Sequence, residues 1–296
     1  MRRLRAFVAV AEEGHVTRAA EKLGMQQPPL SRLIQGLEAE LNVRLLHRTR
    51  RGVEPTPAGK ALLEEARAVL ARAEKVEAAV RRAARGEAGR LAIGFTSSAG
   101  LHPFVTSVLR QFRETLPGVS LELEEGGTGE LVEALVQGRL DAAFVRSSVG
   151  RMSAISVETV LDEPMVVTLP TGHRFAANDG ALALADLSEE PFILYRRRAG
   201  PGLYDAILAA CHAAGFSPHV AQEAPRLTAT LSLVAAGLGV SIVPASMRRL
   251  ADDDIAYRAL AADCGLSAPL HLAIRRANPP PVLIQFREMM RRILDQ

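Results

Sequence analysis

Residues 16–35 read Val16-Thr17-Arg18-Ala19-Ala20-Glu21-Lys22-Leu23-Gly24-Met25-Gln26-Gln27-Pro28-Pro29-Leu30-Ser31-Arg32-Leu33-Ile34-Gln35. Val16–Leu23 is a short helical run, and Gly24 after it suits the left-handed C′ position that closes a helix. Pro28 and Pro29 then open a second helix, where a missing N–H does no harm. Its apolar positions Leu30, Leu33, Ile34, Leu37 and Leu41 follow the 3.6-residue period. Helix, short turn with glycine, helix is the helix-turn-helix pattern, whose second helix presents its N-terminal residues to the DNA major groove. Here those residues are Gln26, Gln27, Pro28, Ser31, Arg32 and Gln35. Gln pairs with adenine edges, Arg with guanine or phosphate, and Ser with phosphate.

Upstream, Leu4, Phe7, Val8, Val10 and Ala11 share one side of a helix that ends near Gly14. Downstream, Arg44-Leu45-Leu46-His47-Arg48-Thr49-Arg50-Arg51-Gly52-Val53 is a basic segment turning at Gly52, suited to a wing lying on a phosphate backbone. A long helix follows, free of Gly and Pro from Lys60 to Arg85. Its Leu62, Ala66, Val69, Ala73, Val76, Val80 and Ala83 alternate spacings of four and three, the rule for a coiled-coil seam. A reader of two half-sites calls for a two-fold assembly, so this helix is expected to pair two copies of the chain.

Charge follows the same division. Residues 1–58 carry a net +4, residues 59–88 a net +2 and the remainder a net −3. A basic head on a slightly acidic body points to a polyanionic partner for the head. The 296 residues, 48% hydrophobic, suffice for about two domains with buried cores, and exclude collagen-like and wholly disordered chains. Glu12 and Glu13 interrupt any signal-peptide core, and the chain holds only two cysteines, Cys211 and Cys264. A cytoplasmic protein without a disulfide framework is expected.

Beyond Gly89 the pattern changes to strand and helix in alternation. Leu91–Phe95, Val119–Leu123, Leu140–Val145, Pro164–Val167, Phe192–Tyr195, Val240–Val243 and Leu270–Ile274 read as strands. Helices are expected over Pro103–Leu116, Glu130–Gln137, Leu203–Ala214, Leu227–Ala236 and Leu283–Leu294. Such alternation predicts an α/β body with a mostly parallel sheet and helices on both faces. Three strand-to-helix junctions stand out: Ser97 and Ser98; Gly127, Thr128 and Gly129; and Gly200, Pro201 and Gly202. Free N–H groups and the positive helix end favour a carboxylate at such places, with hydroxyls as further donors. Arg196-Arg197-Arg198 reads as a solvated loop. No phosphate loop, His-Glu-x-x-His or complete dinucleotide fingerprint is present, and the seven histidines are scattered. No enzymatic activity, cofactor or metal is expected.

Ala19-Ala20-Glu21-Lys22-Leu23, Gln27-Pro28-Pro29-Leu30-Ser31-Arg32, Leu37-Glu38, Leu45-Leu46-His47-Arg48 and Thr56-Pro57-Ala58-Gly59 together resemble the LysR-type transcriptional regulators. A narrower resemblance, to regulators of catechol, chlorocatechol and benzoate degradation that respond to muconate-like acids, rests on two features. They are the doubled proline and the string from Leu233-Val234-Ala235-Ala236-Gly237 to Val243-Pro244-Ala245-Ser246. The resemblance implies a winged helix-turn-helix domain over residues 1–58, a dimerising linker helix over 59–88, and a two-lobed, periplasmic-binding-protein-like α/β effector domain over 89–296. Lobe I would take about 89–162 and 268–296, lobe II about 163–267, with crossings near Asp162 and Ser267.

It further implies DNA contacts by Gln27, Pro28, Ser31 and Arg32, with Arg50 or Arg51 in the wing, and effector contacts by Ser98, Thr128, Arg146, Pro201, Leu203 and Leu227. Leu203 is aliphatic where the muconate-responsive relatives tend to carry an aromatic. The implied partners are double-stranded promoter DNA, a small carboxylic acid, RNA polymerase and further copies of the chain, as a homodimer and then a homotetramer. The competing reading is a cytoplasmic small-molecule-binding protein or enzyme whose head serves only assembly; it predicts ligand binding without salt-dependent DNA affinity.

Overall fold

A computed structural model describes the chain except for residues 50–51, 147–152, 178–179, 198–200, 251–252 and 296. The chain divides into two compact units, Met1–Arg82 and Ala83–Gln296.

The first unit begins with α1 (Arg2–Glu13), α2 (Val16–Lys22) and α3 (Gln27–Leu41). Gly14 ends α1 in the left-handed region at φ 65°, returning its N–H to Val10 O. Leu30, Ile34 and Leu37 of α3 are buried with Phe7, Val10, Ala19 and Ala20 in one apolar core. Strands β1 (Leu46–Thr49) and β2 (Gly52–Pro55) then pair antiparallel as the wing. Its root is fixed by polar contacts: Glu38 accepts from the backbone N–H groups of Leu45 and Leu46 at 2.8 and 3.2 Å. Thr56 accepts from Gly59 N at 3.0 Å and donates to Arg44 O at 2.8 Å, starting α4 (Pro57–Ala84) against the wing. Gly59 is obligatory there, because a Cβ would overlap the carbonyl oxygen of Leu45. The heptad residues Val69, Val76 and Val80 lie exposed along α4.

In the second unit β3 (Gly89–Phe95), β4 (Val119–Glu125) and β5 (Ala142–Val145) pair in parallel, with β3 central. The short helix α5 (Ser97–Gly100), then α6 (Pro103–Thr115) and α7 (Thr128–Val136), connect them. The rest of the sheet departs from the parallel expectation. β6 is a single 16-residue strand, Ile155–Pro170, and β11 (Ser267–Arg275) runs antiparallel to both β6 and β5. Further along, β6 pairs antiparallel with β9 (Ser241–Pro244) and β10 (Ile255–Ala259). The sheet is therefore mixed, because two return passes of the chain lie side by side rather than arriving by helical crossovers. Asp162 and Pro164 of β6 face Pro269 and Ser267 of β11, so the paired strands run continuously through the positions where the resemblance implies crossing.

Two lobes grow from this ribbon. In one, α6 and α10 (Pro281–Leu294) pack on the sheet through Val105, Val108, Phe112, Leu283 and Phe286, with Phe112 edge-on to Phe286 at 5.3 Å between centroids. On the other face Leu131, Ala134 and Leu135 of α7 are buried with Leu140. The other lobe packs Met165, Val166, Val167 and Leu169 of β6 with β7 (Pro191–Tyr195), α8 (Pro201–Ala213) and α9 (Leu227–Ala235). Its remaining strand, β8 (His219–Ala224), pairs in parallel with β7. Cys211 is fully buried in this core as a free thiol, a small apolar residue, and burial pushes it up to about 11. No helix among the described residues is long and apolar enough to cross a membrane.

Candidate functional site

On the first unit, burial of Leu30, Ile34 and Leu37 decides which face of α3 is left open. Gln27, Pro28, Arg32 and Gln35 are exposed and Ser31 is half-buried beside them. Residues 28, 31, 32 and 35 are three or four apart or adjacent, so they share one helix face. Gln26 is the N-cap of α3, and Pro28 and Pro29 occupy its first turn. The doubled proline removes two of the N–H groups that would otherwise point from this helix end. Arg48 and His47 are exposed on β1 of the wing. Arg50 and Arg51 lie outside the described residues.

On the second unit, a cavity of about 160 Å³ opens between the lobes. Of the residues read from the sequence, Ser97, Ser98, Thr128, Arg146, Leu203 and Leu227 line it together. Pro201 begins α8. Thr96, Gly126, Gly127, Glu130, Tyr195, Pro225 and Arg226 complete the lining. Of these, sequence reasoning placed only Gly127 at a candidate junction. Thr96, Gly126 and Glu130 flank the junction residues, a signal that could have found them. Tyr195, Pro225 and Arg226 carry no such mark.

Each polar group is placed by the end of a strand or the start of a helix. β3 delivers Thr96, Ser97 and Ser98; β4 delivers Gly126 and Gly127; β5 delivers Arg146. Glu130, three residues into α7, reaches back so that its carboxylate accepts from Gly127 N at 2.8 Å. Ser98 and Thr128 are buried, and the hydroxyl of Thr96 has no hydrogen-bond partner among the described residues. From the other lobe come Tyr195 and Leu203, both buried, with Pro225, Arg226 and Leu227 at the start of α9. Burial pushes the Tyr195 phenol far above its ordinary range, so it stays protonated.

Two ion pairs flank the cavity. Arg226 donates to Glu125 at 2.7 Å, and Ser97 Oγ donates to the same carboxylate at 2.5 Å. Arg146 is 4% exposed and binds Glu163, the carbonyl of Ala268 at 2.9 Å and the carbonyl of Ser98 at 3.3 Å. Burial draws this guanidinium below its usual range, and Glu163 pushes it back up. Glu163 in turn accepts from Ser246, and His102 Nε2 stands 3.7 Å from it. His102 Nδ1 accepts from Phe104 N at 3.1 Å, so the neutral ring carries its proton on Nε2, toward Glu163. Burial holds this imidazole below its ordinary value, against the pull of Glu163. Glu163 and His102 were not singled out in the sequence, and Ser246 only as the end of the string behind the narrower resemblance, not as a site residue.

Residues 1–60 match the family model for the bacterial regulatory helix-turn-helix protein, lysR family, and residues 84–295 match the LysR substrate binding domain. The HTH-type transcriptional regulator AlsR of Bacillus subtilis (strain 168) is 36% identical over 97% of this chain and 93% of its own. BudR of Raoultella terrigena is 37% identical over 98% of this chain and 99% of its own. The crystal structure of CbnR, a LysR family transcriptional regulator, superposes with a TM-score of 0.88 at 32% identity, covering 98% of this chain and 99% of that one. CbnR in complex with its target DNA gives 0.83 over 99% of each chain. The BenM effector binding domain with its effector benzoate gives 0.62 at 27% identity, over 70% of this chain and 92% of that one. These relatives are regulators rather than enzymes. The chain belongs to the LysR family of DNA-binding transcriptional regulators.

Proposed function

We propose that this regulator binds a two-half-site promoter element as a homo-oligomer, and that a small carboxylic acid held in the interlobe cavity alters its grip on that DNA. The observation that carries the effector reading is the cavity itself: hydroxyls and a helix N-terminus from one lobe meet Leu203, Pro225 and Leu227 from the other, with Arg226 and the phenol of Tyr195 beside them. Gln27, Pro28, Ser31, Arg32 and Gln35 would face the major groove, with Arg50 or Arg51 on the flanking phosphates. The exposed valines of α4 would form the seam between two copies, and two such dimers would make the tetramer. The acid shifts the oligomer between DNA-bound arrangements only by its difference in affinity for them. Recruitment of RNA polymerase would follow from the shifted arrangement.

A role in aromatic-compound degradation is supported by the narrower resemblance read from the sequence and by the similarity to the BenM effector binding domain, whose effector is benzoate. AlsR and BudR match at 36% and 37% identity, so the family relationship by itself does not select the acid. The test is fluorescence anisotropy of promoter fragments with the full chain, at two salt concentrations, with and without benzoate and cis,cis-muconate. Tight, steeply salt-dependent binding that an acid alters is expected for the native chain, and Thr128→Val should lose the acid response while keeping DNA affinity. An acid response that survives Thr128→Val would remove Thr128 from the site. DNA binding that no acid alters would overturn the effector assignment.

A further inference from the structure

Two arginines line the cavity, and they are held very differently. Arg146 is buried and bound to Glu163 and to the carbonyl oxygens of Ala268 and Ser98, its Nε alone without a partner among the described residues. Pulling it away would leave Glu163 as an uncompensated buried charge, so this guanidinium is fixed. Arg226 has a single carboxylate partner among the described residues, Glu125, at 2.7 Å. The side chains of this second pair are 52% and 43% exposed. An ion pair so open to water contributes little, because each charge is nearly as well solvated alone. Unlike the first pair, it is readily exchanged.

The pair also spans the cleft. Glu125 ends β4 in one lobe, and Arg226 is the N-cap residue of α9 in the other, 101 positions along the chain. Oε1 of Glu125 accepts at once from Arg226 and from the hydroxyl of Ser97. Both donors line the cavity, whereas Glu125 does not. The lining carboxylate, Glu130, is turned to Gly127 N instead. A carboxylate of the protein's own thus occupies a guanidinium and a hydroxyl, one from each lobe, aimed at a single oxygen. Such a set binds a carboxylate through charge-assisted hydrogen bonds. A carboxylate entering the cavity meets donors already turned toward its kind of group. Glu125, exposed at the end of a strand, has water to turn to when displaced.

Resting on the reading of this cavity as the effector site, we infer that Glu125 is a resident competitor for the effector's carboxylate and that Arg226 is an effector-binding residue. Before the acid arrives, Arg226 and Ser97 hold Glu125, and the ion pair latches the two lobes beside the cavity. The acid's carboxylate takes Arg226 and Ser97 from Glu125, which turns to solvent. A direct contact between the lobes is then replaced by one that runs through the ligand, so occupancy of the cavity changes how the lobes are joined.

Isothermal titration of the full chain with benzoate and with cis,cis-muconate tests this. Glu125→Gln keeps the size of the side chain and removes the competing charge. It should tighten binding of the acid by about twofold to fivefold, the scale of a half-exposed ion pair. Arg226→Gln should weaken binding severalfold, and in that background Glu125→Gln should bring no gain. Both side chains are exposed, so the variants test binding rather than folding. A gain that persists without Arg226 would be general relief of negative charge and would overturn the exchange. Unchanged or weaker binding by Glu125→Gln would overturn it too, and make the pair a structural clamp. Absence of saturable binding of either acid, by the native chain and by Glu125→Gln alike, would overturn the effector reading itself.

Discussion

The carboxylate of Glu163 accepts hydrogen bonds from both the backbone N–H and the hydroxyl of Ser246, at 3.0 and 3.1 Å. The same carboxylate holds Arg146, so one side chain on β6 ties a cavity-lining cation to the segment after β9. Removing one member of a buried pair leaves the other charge uncompensated. Glu163→Ala should therefore destabilise the effector domain by about 3–5 kcal/mol, and Ser246→Ala by only ~1 kcal/mol. Urea unfolding followed by circular dichroism separates the two outcomes.

Arg32 stands exposed on the open face of α3. Arg32→Ala should weaken promoter binding by about 1–3 kcal/mol if the side chain reads a base, and lower the salt slope by about one if it contacts phosphate. Anisotropy titrations at several salt concentrations distinguish these. An unchanged affinity and slope would remove Arg32 from the interface.

Gly59 sits where the wing meets α4, and any Cβ there would collide with the Leu45 carbonyl oxygen. Gly59→Ala should cost the head about 1–3 kcal/mol through forced displacement of a backbone rather than a flexible side chain. A melting temperature equal to that of the native chain would contradict the packing described.

His102 and His271 are both held below the ordinary imidazole value of 6.5, chiefly by burial, with Arg146 nearby in each case. As pH falls through about 6.5, the unfolded chain takes up protons that the native chain refuses. Stability should therefore be fully present above that value and decline below it. Melting at about pH 5.5 and 7.5 measures the loss. Substituting both imidazoles by uncharged amides should flatten that part of the profile.

Val76 and Val80 are more than half exposed on α4. If they form the seam between two copies, Val76→Glu should raise the dimer dissociation constant by at least about tenfold, because it places a charge in an apolar contact. Sedimentation velocity across a concentration series reads this directly.

The head was legible because its boundaries are written in residue types with one local meaning. Gly14 and Gly24 adopt positive φ, the prolines open α3, and the apolar period selects the buried face. In the body the helices were placed to within about three residues, yet β6 was read only from Pro164 onward. Its first half, Ile155-Ser156-Val157-Glu158-Thr159-Val160-Leu161-Asp162-Glu163, mixes polar and apolar residues because its two faces have different neighbours. Strand direction leaves little trace in a sequence, so the antiparallel return of β11 went unseen. Ser97, Ser98, Gly127 and Thr128 could be named from turn chemistry, whereas Arg146, Leu203 and Leu227 were named only through the family resemblance. Glu163, Ser246 and His102 could not, since their meeting depends on contacts across 61 and 83 positions of the chain.

Because β6 passes from one lobe to the other without a break, with β11 hydrogen-bonded beside it, the lobes have no loop on which to swing. Relative movement of the lobes would have to bend or twist this two-stranded ribbon. The register shift between Leu270 and His271 is the place where such a ribbon yields most easily. Any shift of one lobe against the other would load this ribbon like a torsion spring, and neither lobe can be cut free without severing it.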